Sequence, residues 1–146
     1  MLATCALALP ACSCGAGAPP PHARAHIRAT IVTFMRELAA GNGKVACEGL
    51  TAAGQNSAIG AIGPELANFG IFTCAQTVQV TGAQLSAKLR RELLAVRVGS
   101  ISLSGTHASV RWSQITSPGG DVAAFFRRHA AVRLLYSDDF WLIDSL

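Results

Sequence analysis

The hydrophobic period of this chain changes once, and that change limits the fold more than any other feature. Up to Leu93 the apolar residues recur every three or four positions, the spacing of one helix face. Ile27, Ile31, Phe34, Met35 and Leu38 make the first such stripe, on a helix starting near Ala25. Gly41-Asn42-Gly43 closes it, with Gly41 suited to a left-handed cap. A short helix over residues 44–50 carries Val45, Cys47 and Leu50, and further helical pieces are expected over residues 51–59 and 64–78, either side of Gly63-Pro64. Leu85, Leu89 and Leu93 form another i, i+4, i+8 stripe on one helix. From Val96 onward the pattern is that of strands: residues 96–103, with a bend at Gly99-Ser100, then residues 106–115. In the second run Ala108, Val110 and Trp112 face one side, and His107, Ser109, Arg111 and Ser113 the other. After a loop over residues 117–121, a third strand lies within residues 124–136 and the last is residues 140–146, joined by a turn at Ser137-Asp138-Asp139. Alternation sets Trp141 and Ile143 on one face, against the helices. Helices followed by an antiparallel meander define an α+β fold, with N-terminal helices packed on one face of a curved antiparallel sheet.

Ahead of this domain the chain reads as a targeting segment and a tether. Residues 1–11 are uncharged and mostly apolar, like the hydrophobic region of a signal peptide. The run is shorter than the roughly 20 apolar residues of a membrane-spanning helix. No Lys or Arg precedes it, so it reads as a signal peptide truncated at its start. Leu9-Pro10-Ala11-Cys12 resembles a lipobox, which makes Cys12 the candidate for lipidation and a membrane anchor. An ordinary secretory signal cleaved nearby is the alternative. Residues 12–24 hold Gly15, Gly17 and the triplet Pro19-Pro20-Pro21, the composition of a flexible tether. The domain proper is residues 25–146.

Two of the five cysteines, Cys47 and Cys74, fall inside the domain. In an oxidising compartment they are candidates for a disulfide, and two unrelated buried thiols are the alternative. The closed loop of about 28 residues would contribute roughly 3–4 kcal/mol. The sequence holds no Cys-x-x-Cys pair, and the i, i+4 spacing of His22 and His26 falls in the tether, so no metal site is expected.

Charge narrows the functions further. Twelve basic residues against eight acidic ones give a mild excess, with the arginines scattered. There is one Tyr and no basic tract interleaved with aromatics, which argues against nucleic-acid binding. Gly41-Asn42-Gly43-Lys44-Val45-Ala46 matches the dinucleotide fingerprint in letters only, because it follows a helix rather than a strand. No Gly-x-Ser-x-Gly elbow occurs, and no cofactor is expected.

Three stretches carry a family resemblance: Leu38-Ala39-Ala40-Gly41-Asn42-Gly43, then Ala46-Cys47-Glu48-Gly49-Leu50-Thr51, and the closing Val132-Arg133-Leu134-Leu135-Tyr136-Ser137-Asp138-Asp139-Phe140-Trp141-Leu142-Ile143-Asp144, with Cys74 between. From Ala25 to Leu146 the chain resembles the nuclear transport factor 2-like (SnoaL-like) superfamily, and within it small exported actinobacterial lipoproteins. The resemblance implies a cystatin-like cone, with helices wrapped by a bent sheet around a pocket. Relatives include ketosteroid isomerases and SnoaL-like cyclases, which use acid and base groups inside the cone. The side chains that could serve so here are Asp144, His129 and Tyr136, and no spacing demands it.

The sequence therefore points to an exported, lipid-anchored envelope protein whose domain binds a small apolar ligand or a protein partner. Two alternatives stand beside it. One is an isomerase- or cyclase-like enzyme using the cone residues. The other is a structural domain that pairs with a second copy as a homodimer.

Overall fold

The computed structural model describes residues 19–64, 72–126 and 130–146. Cys12, the expected signal segment and most of the expected tether lie outside the described residues, as does His129.

Helix α1 (Ala23–Ala40) begins two residues before the expected start near Ala25, and its stripe Ile27, Ile31, Phe34, Met35 and Leu38 is buried. Gly41 ends it at φ +69°, a conformation costly for any residue with a Cβ. Helix α2 (Gly43–Glu48) follows at once. Helix α3 (Ala52–Ile62) is started by Thr51, whose hydroxyl accepts the Gly54 N–H. Helix α4 spans Cys74–Gln84. Here the outcome differs from the periodicity over residues 64–78, part of which lies outside the described residues. Thr73 and Gln76 form a reciprocal capping box that fixes the start at Cys74, and the helix runs on to Gln84. Ser86 then caps α5 (Ala87–Leu94). Leu85 is extended between the two helices, so the Leu85–Leu89–Leu93 stripe is not one helix face. Periodicity cannot see a cap that breaks a run in phase.

The strand half is antiparallel but divided. β1 (Arg97–Val98) pairs with β4 (Ile115–Thr116) in a small sheet of its own. β2 (Ser102–Ser104), β3 (His107–Arg111), β5 (Ala131–Ser137) and β6 (Phe140–Ser145) form the main sheet in that order. The bend at Gly99-Ser100 thus hands the chain from one sheet to the other. A 3-10 turn at Trp112–Gln114 interrupts the second run between β3 and β4. The segment expected as loop and early strand instead holds a short helix, α6 (Asp121–Phe125), and the third strand starts at Ala131. Phe126 stacks on Trp112 at 4.4 Å between ring centroids, which buries both.

The β5–β6 turn has both central residues, Asp138 and Asp139, at positive φ (50° and 68°), the handed turn that matches strand twist. The outer edge of β6 is covered by the α2–α3 connection: Thr51 N–H donates to Ile143 C=O, and Ile143 N–H to Gly49 C=O, both at 2.9 Å. Val110, Val132, Leu134, Trp141 and Ile143 from the sheet meet the α1 stripe in one buried core. The fold is α+β, with the N-terminal helices packed on the antiparallel sheet.

Candidate binding groove

Cys47 and Cys74 form a disulfide between α2 and α4, with Cα atoms 6.2 Å apart. A Cβ on Gly43 would run into the Ala75 carbonyl, so the two helices meet at backbone distance, close enough for the bridge. This cross-link fastens α2, one wall of a surface groove, to α4.

The groove lies between α1, α2 and the start of β6 and has a volume of about 590 Å³. Its floor is Phe34 and Trp141, both nearly fully buried. Its upper walls are Val45 and Phe140, which are 40% and 68% exposed. These are two of the three large apolar side chains left open to solvent among the described residues, the third being Leu94. Phe140 is there because alternation along β6 turns Trp141 inward and its neighbour outward. Thr30 and Thr33 of α1 and Glu48 of α2 add polar groups to the lining. The Thr30 hydroxyl donates to the Trp141 carbonyl at 3.0 Å. With Ile143 already paired to the α2–α3 connection, the β6 edge is occupied along this stretch, and a visiting strand could not simply extend the sheet. The Trp141 indole Nε1 has no hydrogen-bond partner among the described residues.

A second hollow, about 360 Å³, lies on the sheet at β2, β3 and β5, where Ser102, Ser104, His107, Ser109, Arg133 and Asp144 gather. Leu103, Ala108 and Leu134 lie among these polar groups, and the one arginine is matched by one aspartate.

Of the residues expected to act as acid or base, the two described ones, Asp144 and Tyr136, do not come together. Asp144 Oδ1 accepts the Thr51 hydroxyl at 2.7 Å. Tyr136 lies three positions away along the hairpin, opposite Trp141, roughly 10 Å along the strand. Its hydroxyl donates to Asp139 Oδ1 at 3.4 Å, a long bond. Desolvation, and then the Asp139 charge, raise its pKa above the usual phenol value. His129 lies outside the described residues. His107 is exposed, beside the Thr106 hydroxyl. Among the described residues no three His, Cys, Asp or Glu side chains come together.

No family model, curated protein or solved structure matches this chain.

Two features escaped the sequence reading. Glu92, which no local pattern singles out, is 5% exposed and accepts the Ser117 hydroxyl and the Asp121 N–H, both at 2.8 Å. Its partners are more than 20 residues away in sequence, beyond any local pattern. The exposure of Val45 and Phe140 was also missed. The signal for Phe140 was present: an aromatic residue on the outward phase of a strand whose inward phase is Trp-x-Ile.

Proposed function

We propose that this chain is an exported, lipid-anchored envelope protein of the nuclear transport factor 2-like (SnoaL-like) type, whose domain binds a small apolar ligand or a protein partner and performs no reaction. The observation that carries the binding role is the groove, an apolar floor of Phe34 and Trp141 under exposed Val45 and Phe140. Its volume is within the range of roughly 300–1,000 Å³ common for ligand sites. Exposed apolar side chains beside a concave surface mark interaction sites more often than isolated ones do. The α+β architecture accords with the family resemblance. The Cys47–Cys74 disulfide accords with export, since such bridges persist in oxidising compartments and are rare in the cytosol. The lipobox-like Cys12 supplies the anchor. Asp144 and Tyr136 lie apart and are engaged by Thr51 and Asp139, which favours a binding role over acid–base work between these two.

Titration of the isotope-labelled chain with decanoate and with a panel of apolar metabolites, read by amide and indole NMR shifts, tests the binding role. The reading predicts shifts at Thr33, Val45, Phe140 and the Trp141 indole. Shifts confined to the Ser102–Arg133 side of the sheet, or none with any probe or partner, would contradict it.

A further inference from the structure

Two long runs of the chain carry no carboxylate. Residues 19–36 and 93–120 together hold Arg24, Arg28, Arg36, Arg97 and Arg111 and not one Asp or Glu. The fold brings the two runs together at one place. Arg28 Nε and Nη2 donate to the Val98 and Gly99 carbonyls, at 3.2 and 3.4 Å, and Arg24 Nη1 donates to the Ile101 carbonyl at 2.9 Å. Both arginines are exposed, as is Arg97 in the strand that leads into this segment. Carbonyls hold the guanidinium forks in position but leave their charge uncompensated, and the remaining N–H donors of each fork stay open to an acceptor. The ion pairs among the described residues are Arg36–Glu37 and Lys88–Asp121, so none of these three arginines is paired with a described carboxylate. On the sheet side the patch ends at Leu103, beyond which Arg133 is matched by Asp144.

This patch lies where the tether enters the domain. Pro19 and Pro20 line one surface hollow together with Arg24, Arg28 and Leu103. Six residues separate Cys12 from Pro19. At about 3.3–3.6 Å per residue, a lipid on Cys12 keeps Pro19, and the arginines beside it, within roughly 25 Å of a bilayer. Arginine forks match the oxygens of a phosphate, and each basic residue that reaches an anionic membrane surface strengthens attachment by about fivefold. The groove lies elsewhere. Along α1 the helical repeat sets Arg24 and Arg28 on one flank of the buried stripe and Thr30 and Thr33 on the other.

We propose that Arg24, Arg28 and Arg97 form a face that docks the domain on the anionic headgroups of the bilayer in which Cys12 is anchored, so that the groove on the opposite flank of α1 opens away from the membrane. The proposal rests on the reading of Cys12 as the lipid anchor and adds to it how the domain lies once anchored.

The test uses the full chain with Cys5→Ser and Cys14→Ser, coupled through Cys12 to a maleimide lipid in nanodiscs. Discs of phosphatidylcholine alone are compared with discs that also hold phosphatidylglycerol, each doped with a gadolinium lipid, and amide line broadening is read along the chain. With phosphatidylglycerol the broadening is expected to reach residues 97–101 and to spare Val45 and Phe140. It should be lost on phosphatidylcholine and in high salt. Arg97→Gln should lower the ratio of docked to undocked chain about fivefold, and Arg24→Gln/Arg28→Gln/Arg97→Gln roughly 100-fold. Arg97 is exposed, so its replacement alone leaves the fold intact, and an unchanged thermal transition verifies this. Equal broadening of residues 97–101 on both discs, insensitivity to salt, an Arg97→Gln chain that docks like the parent, or broadening centred on Val45 and Phe140 overturns the proposal. The mass of the mature product from cells reads the anchor separately. A product without lipid overturns the anchor reading and this proposal with it, whereas a lipidated product whose tethered chain fails to dock overturns the docking face alone.

Discussion

The Thr51 hydroxyl donates to Asp144 Oδ1 at 2.7 Å while accepting the Gly54 N–H at 3.0 Å. One oxygen therefore caps α3 and fastens that helix to β6. Thr51→Val removes both bonds and should cost about 1–2 kcal/mol. Thr51→Ser keeps them and should be near neutral. Asp144→Asn retains an acceptor and should cost less than Thr51→Val. Urea unfolding of the three variants checks this order, and a greater loss from Asp144→Asn than from Thr51→Val would contradict it.

Glu92 ties α5 to the turn before α6 by accepting from Ser117 Oγ and the Asp121 N–H. Beside it the Lys88–Asp121 ion pair is exposed, and it adds little to stability. Glu92→Ala leaves two donors without their acceptor and should cost about 1–3 kcal/mol, whereas Lys88→Ala should leave stability close to that of the parent. A Cβ on Gly119 would run into the Glu92 carboxylate, so Gly119→Ala should destabilise as well. Calorimetry of the three variants decides the ranking. Equal effects from Glu92→Ala and Lys88→Ala would show that the buried acid does not hold the turn.

The Cys47–Cys74 bridge closes a loop between residues 27 apart in sequence. Loop closure predicts that the Cys47→Ser/Cys74→Ser double variant loses about 3–4 kcal/mol. Both cysteines are buried, so reductant should act slowly on the folded chain and quickly after denaturation. Thiol labelling with and without urea measures this. Rapid labelling of the folded chain at either cysteine would contradict it.

Tyr136 is the one tyrosine, so its ionisation can be followed directly by phenolate absorbance. Its pKa is raised in the fold, first by desolvation and then by Asp139. A raised pKa means stability fully present below the unfolded value of about 10 and lost as pH climbs through the folded value. The folded chain should titrate above pH 10, and the urea-unfolded chain near 10. Asp139→Asn should lower the folded midpoint. A folded midpoint at or below the unfolded one would contradict the placement of this ring.

Much of the fold was legible because it rests on local pattern. The α1 stripe, the Gly41 stop, the Trp141/Ile143 inward phase and the Asp138-Asp139 turn all follow from a few adjacent residues. What escaped rests on distant partners or on short caps. Ser86 splits a leucine stripe that stays in phase. Gly99-Ser100 divides one β-branched run between two sheets, which only the partner strands reveal. Glu92 is buried by groups that arrive from the 117–121 turn. For the site, the disulfide pairing was within reach of the sequence. The groove was not, because it is assembled from α1, α2 and β6 and because an exposed Val45 follows from the way α2 lies across α1.

The envelope role depends above all on where the chain resides and in what state. Cells producing the chain can be fractionated, their thiols trapped at lysis, and the intact product weighed. The account predicts a membrane-associated product that begins at Cys12, carries the added mass of a diacylglycerol thioether, and has Cys47 joined to Cys74. A cytosolic product still beginning at Met1, with both thiols trapped as free, would contradict it.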